Sequence, residues 1–178
     1  MFLLVIKLQE AIGYLAGRTA YFAKGAPSTP KVREQFLLFT IAGEVMGVGI
    51  GPLKEVIYSD GLQDSPAFPY CGQIQYRGKR IPVVKLAELF GYPTPAGPDL
   101  PCILVTTIGG MTLGLLVEGV QEVVEVDPRE IEPMPEMATL LDQDYFRGLL
   151  RRKGRIVVLI NESALTKLEG LSHFEESR

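Results

Sequence analysis

Apolar positions in this chain fall in short runs broken by glycine turns, the texture of a β protein rather than of long helices. The best-defined stretch runs from Gly72 to Gly91. Ile74 and Tyr76 alternate with Gln73 and Gln75, as in a half-buried strand. Arg77-Gly78-Lys79-Arg80 supplies a turn, in which Gly78 takes a positive φ without steric cost. Ile81, Val83 and Val84 form a second strand, and Pro82 near its start marks a position facing an edge. Leu86, Leu89 and Phe90 fall at helical spacing, with Gly91 and Pro93 as the stop. Upstream, Phe36 to Ile41 runs apolar, Gly43-Glu44 turns, and Val45, Val48 and Ile50 continue. Leu53 to Tyr58 is a further strand ended by Asp60-Gly61, and the proline-stiffened Ser65 to Pro69 leads into the hairpin.

The same module occurs twice. Shifted by 67 positions, Gly43 meets Gly110, Gly47 meets Gly114, Glu55-Val56 meets Glu122-Val123 and Asp60 meets Asp127. With nine more residues inserted, a shift of 76, Gly72 meets Gly148, Gly78 meets Gly154 and Val83-Val84 meets Leu159-Ile160. The insertion falls between Pro128 and Asp144, a loop rich in proline, acid and methionine. Each copy has about five short strands, which suggests a small closed barrel. One such barrel has little core, so the copies should bury faces against each other and leave at their joint a groove of the kind that binds ligands or partner elements. The second helix begins at Asn161, a good N-cap, with Ala164, Leu165 and Leu168 facing inward.

The N-terminal segment has a different pattern. Leu4, Val5, Leu8, Ala11, Ile12 and Leu15 share one helical face, with Lys7, Glu10 and Arg18 outside it. It has no basic leader and is too short and too charged to span a bilayer. It reads as a helix packing on its own domain, with a partner-binding or membrane-touching helix, or disorder, as alternatives. Gly25 to Pro30 is a linker. The boundaries are therefore residues 1–34 for helix and linker, 35–169 for the duplicated domain (copies about 35–91 and 101–169) and 170–178 for a tail.

Composition narrows the function. A net charge of −3 over 178 residues argues against a general nucleic-acid binder, and no basic-aromatic interleaving marks the strands. Cys71 and Cys102, without CxxC spacing, read as small buried residues of a cytoplasmic protein rather than a disulfide. The sole histidine, His173, sits in the tail, and no P-loop, GxGxxG, HExxH or zinc-type spacing occurs, so an enzyme lacks parts and no cofactor or metal is expected. Met46, Met134 and Met137 read as core or loop fillers, and Asp142 and Asp144 as loop polars. Arg147, Arg151, Arg152, Lys153 and Arg155 crowd the second hairpin, either as a solvated face or for an acidic or phosphate-bearing partner. A small-molecule-binding or enzymatic barrel stays open, to be decided by whether the joint encloses a cavity. Taken singly, Arg77 beside Gly78 reads as a solvated turn residue and Glu55 as a surface strand charge; as a pair on neighbouring strands they could lock the hairpin's orientation through bidentate hydrogen bonds.

Phe36 to Glu44, Glu55-Val-Ile57, Pro66…Pro69, Gly72-x-Ile74, Arg77-Gly78-x-x-Ile-Pro-Val-Val84, Phe90-Gly91 and Gly148…Gly154-Arg-Ile-Val-Val-Leu-Ile160 together resemble the CheW family, over about residues 35–169. The N-terminal segment and overall length resemble PilI-type adaptors of twitching-motility systems. The resemblance implies an all-β fold with short helices, in which internal duplication gives two SH3-like five-stranded barrels. It implies a non-enzymatic cytoplasmic adaptor that couples chemoreceptor cytoplasmic tips to the regulatory domain of a CheA-type histidine kinase. That kinase domain has the same fold, so pseudo-symmetric contacts and self-association in rings are expected, without nucleic acid or membrane insertion. By the same resemblance Arg77 with Gly78 matches the family's hairpin arginine and Glu55 its acidic partner, both at the receptor-facing surface, with Leu53 and Val56 flanking that acid in the receptor and kinase interface. Gln75 stands where the family usually has Asn, Lys85 reverses the charge of the usual Asp, and Gly49 to Pro52 is more broken than usual. These departures bear on receptor choice and on the partner at the Lys85 surface.

Overall fold

A computed structural model describes residues 32–93, 101–135 and 143–171. The helix expected near the N-terminus, the Gly25 to Pro30 linker, Met137, Asp142 and His173 lie outside the described residues. The strands are Glu34–Ile41 (β1), Glu44–Gly49 (β2), Leu53–Tyr58 (β3), Gln63–Asp64 (β4), Cys71–Tyr76 (β5), Lys79–Lys85 (β6), Cys102–Ile108 (β7), Met111–Val117 (β8), Gly119–Val126 (β9), Ile131–Glu132 (β10), Phe146–Arg152 (β11) and Arg155–Ile160 (β12). One-turn helices Leu86–Leu89 (α1) and Glu162–Leu165 (α2) follow β6 and β12. The fold is mostly β with few short helices, as expected. Every strand of the first copy has its counterpart in the second, to within one residue of the shift of 67 as far as β4 and β10 and of 76 beyond them, and α1 maps onto α2.

The sheets do not follow the copies. One sheet has the order β10-β11-β12-β2-β1-β9 and the other β3-β7-β8-β6-β5-β4. Each sheet combines the first two strands of one copy, in chain order, with the last four of the other. With the copies interchanged, the two strand orders are identical. The assignment of one barrel to residues 35–91 and the other to 101–169 is therefore corrected: the copies exchange their β1–β2 and β7–β8 hairpins. The exchange occurs where Gly49-Ile50-Gly51-Pro52 crosses between sheets, held by Ile50 N–H donating to Gln35 O at 3.1 Å and Thr107 N–H to Pro52 O at 2.9 Å. The return crossing is the single residue Glu118, whose N–H donates to Thr40 O at 3.0 Å.

Three cores follow from this arrangement. Phe36, Leu38, Leu150, Val157 and Leu159 fill the first sheet's own concavity, and Ile103, Val105, Ile74, Ile81 and Val83, their counterparts, fill the second's. Between the sheets lies the largest cluster, which includes Phe39, Ile41, Met46, Val84, Leu86, Phe90, Leu104, Leu115, Phe146, Ile160 and Leu165. The expected groove at the joint is thus filled by apolar side chains from both sheets and from α1 and α2. Cys71 is fully buried in that core, where burial pushes its thiol up to about 11, and both cysteines are free thiols. The folded region also exceeds 35–169. Glu34 pairs with Val126 in the β1–β9 ladder, and Leu171 is buried in the joint core.

Local chemistry explains the remaining differences. The hairpin turns are two residues long, Ala42-Gly43, Arg77-Gly78, Gly109-Gly110 and Lys153-Gly154, all at positive φ. Two left-handed residues in succession match the twist of the flanking strands. Glu44, Lys79 and Arg80 therefore belong to strands rather than turns. Pro82 is buried, and the β6–β8 ladder begins only at Val83↔Gly114, so the proline stands just outside it. Helix α1 ends with Gly91 N–H on Glu88 O and Tyr92 N–H on Ala87 O, the paired bonds of a Schellman motif. Asn161 does not cap α2: its Nδ2 donates instead to Asp144 O at 2.9 Å, tying the helix start to the loop before β11. Ala164, Leu165 and Leu168 are buried as expected.

Candidate functional site

The hairpin β5–β6 brings its turn against the edge strand β3. Glu55 Oε2 accepts from Arg77 Nη2 at 2.6 Å and from the Tyr76 hydroxyl at 2.8 Å. The Arg77 guanidinium also lies 5.3 Å from the centre of the Tyr76 ring. Arg77 and Glu55 are thus brought together, but the expected bidentate fork is replaced by two different donors on one carboxylate oxygen. The Tyr76 hydroxyl, and then Arg77, hold the Glu55 carboxyl below its ordinary value. The same bonds to Glu55 push the Tyr76 phenol and the Arg77 guanidinium up. The Arg77 side chain is 74% exposed and that of Glu55 36%. An exposed pair of this kind contributes only about 0–1 kcal/mol to stability, so its main effect is to fix the direction of a charged tip. Sequence reasoning missed Tyr76, which reads as an ordinary strand aromatic.

The other candidates separate around this triad. β3 alternates half-buried with exposed residues, and Leu53 packs against the joint core while Val56 points outward, 44% exposed. Tyr58 shares the outward face of Val56 and is 67% exposed. Gly78, at φ +77°, has open space around it. Gln75 is exposed on β5. Lys85 is not at a surface: it is buried, and its Nζ lies 2.7 Å from Asp64 Oδ1 on β4.

The duplication reproduces the triad in altered form. Glu122 on β9, the counterpart of Glu55, lies 3.4 Å from Lys153 Nζ and 3.9 Å from Arg152 Nη2, and these stand where Arg77 and Tyr76 stand in the first copy. Val123, the counterpart of Val56, is 52% exposed. The repeat register carried this signal, because Glu122 and Lys153 are fixed by the same two shifts. Elsewhere in the basic cluster Arg147 forks onto both oxygens of Glu34 at 2.5 and 2.6 Å and lies 5.3 Å from the Phe36 ring centre, and Arg151 Nε donates to Glu132 at 2.8 Å. Most of this cluster is therefore engaged within the chain. Among the described residues there is no grouping of three potential metal ligands, and no helix is long and apolar enough to cross a membrane. Fixed charges beside exposed apolar edge residues are the equipment of a docking surface.

The CheW-like domain family matches residues 35–169. The chemotaxis protein CheW of Klebsiella aerogenes is 26% identical over 144 residues, 79% of this chain and 86% of that protein. A probable chemotaxis protein CheW of Rhizobium etli is 30% identical over 135 residues, 74% of this chain and 86% of that protein. Among solved structures, the scaffolding protein TtCheW of Thermoanaerobacter tengcongensis superimposes with a TM-score of 0.68 at 27% identity, covering 85% of this chain and 96% of that one.

Proposed function

The chain belongs to the CheW-like domain family, and from that premise we propose that it is a non-enzymatic cytoplasmic scaffold adaptor that couples chemoreceptor tips to a CheA-type histidine kinase. The observation that carries this is the Arg77 tip, locked by Glu55 and Tyr76 beside the exposed edge residue Val56, at the positions where the family resemblance places receptor-facing residues. The related chemotaxis proteins and the TtCheW scaffold support the same reading. The adaptor works by reversible contacts. Interfaces of about 800 Å² per partner or less commonly give micromolar binding, about −8 kcal/mol, and a lattice multiplies their retention. Self-association in rings, through the two equivalent edge strands β3 and β9, belongs to the same proposal. The output is chemotaxis or, on the PilI-type resemblance, twitching motility.

Calorimetry against the isolated regulatory domain of a CheA-type kinase, followed by sedimentation with receptor fragments added, tests this. The full chain is expected to bind the domain at micromolar strength and to be retained far better in the three-component mixture. Arg77→Glu should fold normally and lose receptor coupling. Truncating Val56 should raise the off-rate without unfolding, whereas truncating Leu53 should also cost stability, since Leu53 packs on the core. Unchanged coupling in a folded Arg77→Glu protein would refute the role given to the hairpin.

A further inference from the structure

In the first sheet, β2 and β12 are parallel neighbours whose ladder contains only two pairs, Met46↔Val158 and Gly47↔Leu159. Towards the Ala42-Gly43 and Lys153-Gly154 turns the two strands part, and a cleft of about 470 Å³ opens between them. Glu44 and Val45 line it from β2, and Arg151, Arg155 and Ile156 from the β11–β12 hairpin. Val45 and Ile156 also pack onto the cores beneath, so the lining includes apolar side chains. Backbone groups on the sides where β2 and β12 face each other have no ladder partner there, which makes them open hydrogen-bonding positions. Arg151 is engaged by Glu132, while the Arg155 side chain is exposed and has no ion pair or hydrogen bond among the described residues.

We propose that this cleft receives an extended acidic segment of a partner protein, laid as a short added strand along β12 with a carboxylate on Arg155. Strand addition suits the site because main-chain bonds supply binding while alternate side chains find the apolar lining and Arg155. Glu44 on the opposite wall repels carboxylates and so sets which wall they follow. The cleft lies in the other sheet from the Arg77 hairpin, so the inference stands independently of the role proposed for that turn.

A fluorescein-labelled peptide alternating glutamate with valine, compared with its lysine-valine counterpart, is the probe, read by anisotropy against the full chain. The glutamate peptide is expected to bind, more weakly as salt is raised. Arg155→Glu should weaken it by about tenfold or more, the effect of losing a single good charged contact. Glu44→Gln should strengthen it, Arg77→Glu should leave it unchanged, and amide shifts should move at Gly43 to Val45 and Gly154 to Ile156. Because Arg155 is exposed, the Arg155→Glu protein should melt like the parent, and Arg155→Gln provides a milder second variant. No binding of the glutamate peptide, equal binding of the lysine peptide, or affinity untouched by both Arg155 variants would overturn the proposal.

Discussion

Arg77 is held at φ 47°, in the left-handed region where a side chain costs about 1–2 kcal/mol relative to glycine. Glycine at this position would relieve that strain while adding freedom to the unfolded chain, and the two effects nearly cancel. Arg77→Gly is thus expected to keep its denaturation midpoint and lose partner binding. A large loss of stability would show that the arginine serves the fold. Glu55 gives a second handle. Its folded value is depressed, so its contribution is present above the ordinary value of 4.5 and lost as pH falls through the folded one. Tyr76 is the largest cause, so Tyr76→Phe should move the carboxyl resonance of Glu55 to a titration nearer 4.5, and an unmoved titration would contradict the shared-oxygen geometry. Arg77 and Glu55 were legible because charge, turn and family motif coincide. Tyr76 and Lys85 were not, since nothing local tells that a strand tyrosine reaches a neighbouring carboxylate, or that a strand-end lysine is buried against Asp64.

At the scale of elements, strand positions were legible nearly to the residue, because period-2 patterning and glycine turns agree. Turn chemistry was not, because Ala42, Arg77 and Lys153 accept a left-handed conformation that their residue types do not announce. The contact between parallel strands depends on absent side chains. A Cβ on Gly114 would stand 2.5 Å from Ile103 Cγ2 and 3.2 Å from Val83 Cγ2, both on stiff β-branched residues. Gly114→Ala should therefore destabilise by about 1–3 kcal/mol in chemical denaturation, the usual penalty of overpacking, with an unchanged midpoint as the contrary outcome. Helix α2 contributes a different pin. Glu162 accepts from Gly49 N–H at 3.0 Å at the start of the crossing, and burial raises its carboxyl above 4.5 despite the opposing bonds. A raised acid binds its proton more tightly when folded, so it lowers stability as pH climbs from 4.5 through the folded value. Glu162→Gln keeps the acceptor and removes the charge. It should be more stable than the parent at neutral pH, with the advantage vanishing near pH 4, and denaturant midpoints at the two pH values measure it.

For the whole molecule, the duplication was readable but the exchange was not. A β1–β2 hairpin has the same inward apolar pattern whether it completes its own copy or the other, so hydrophobic periodicity cannot choose between them. The crossings choose: Ile50 to Pro52 carries the chain out of one sheet, and Glu118 carries it back. The consequence concerns cooperativity. Were each copy its own barrel, a chain cut between Tyr92 and Pro101 would give two fragments, each with a complete sheet. With the hairpins exchanged, the first fragment holds β1 and β2 of one sheet and β3 to β6 of the other, and neither sheet is complete. The joint core, which draws on both copies, would also be split. Each fragment alone is therefore expected to show no dispersed amide spectrum, while an equimolar mixture should recover the spectrum of the intact chain. The intact protein should unfold in one transition by every probe, since no sheet can melt without taking strands from both copies. A folded first fragment on its own, or two separate transitions in the intact chain, would mean that the copies and not the exchanged sheets are the cooperative units.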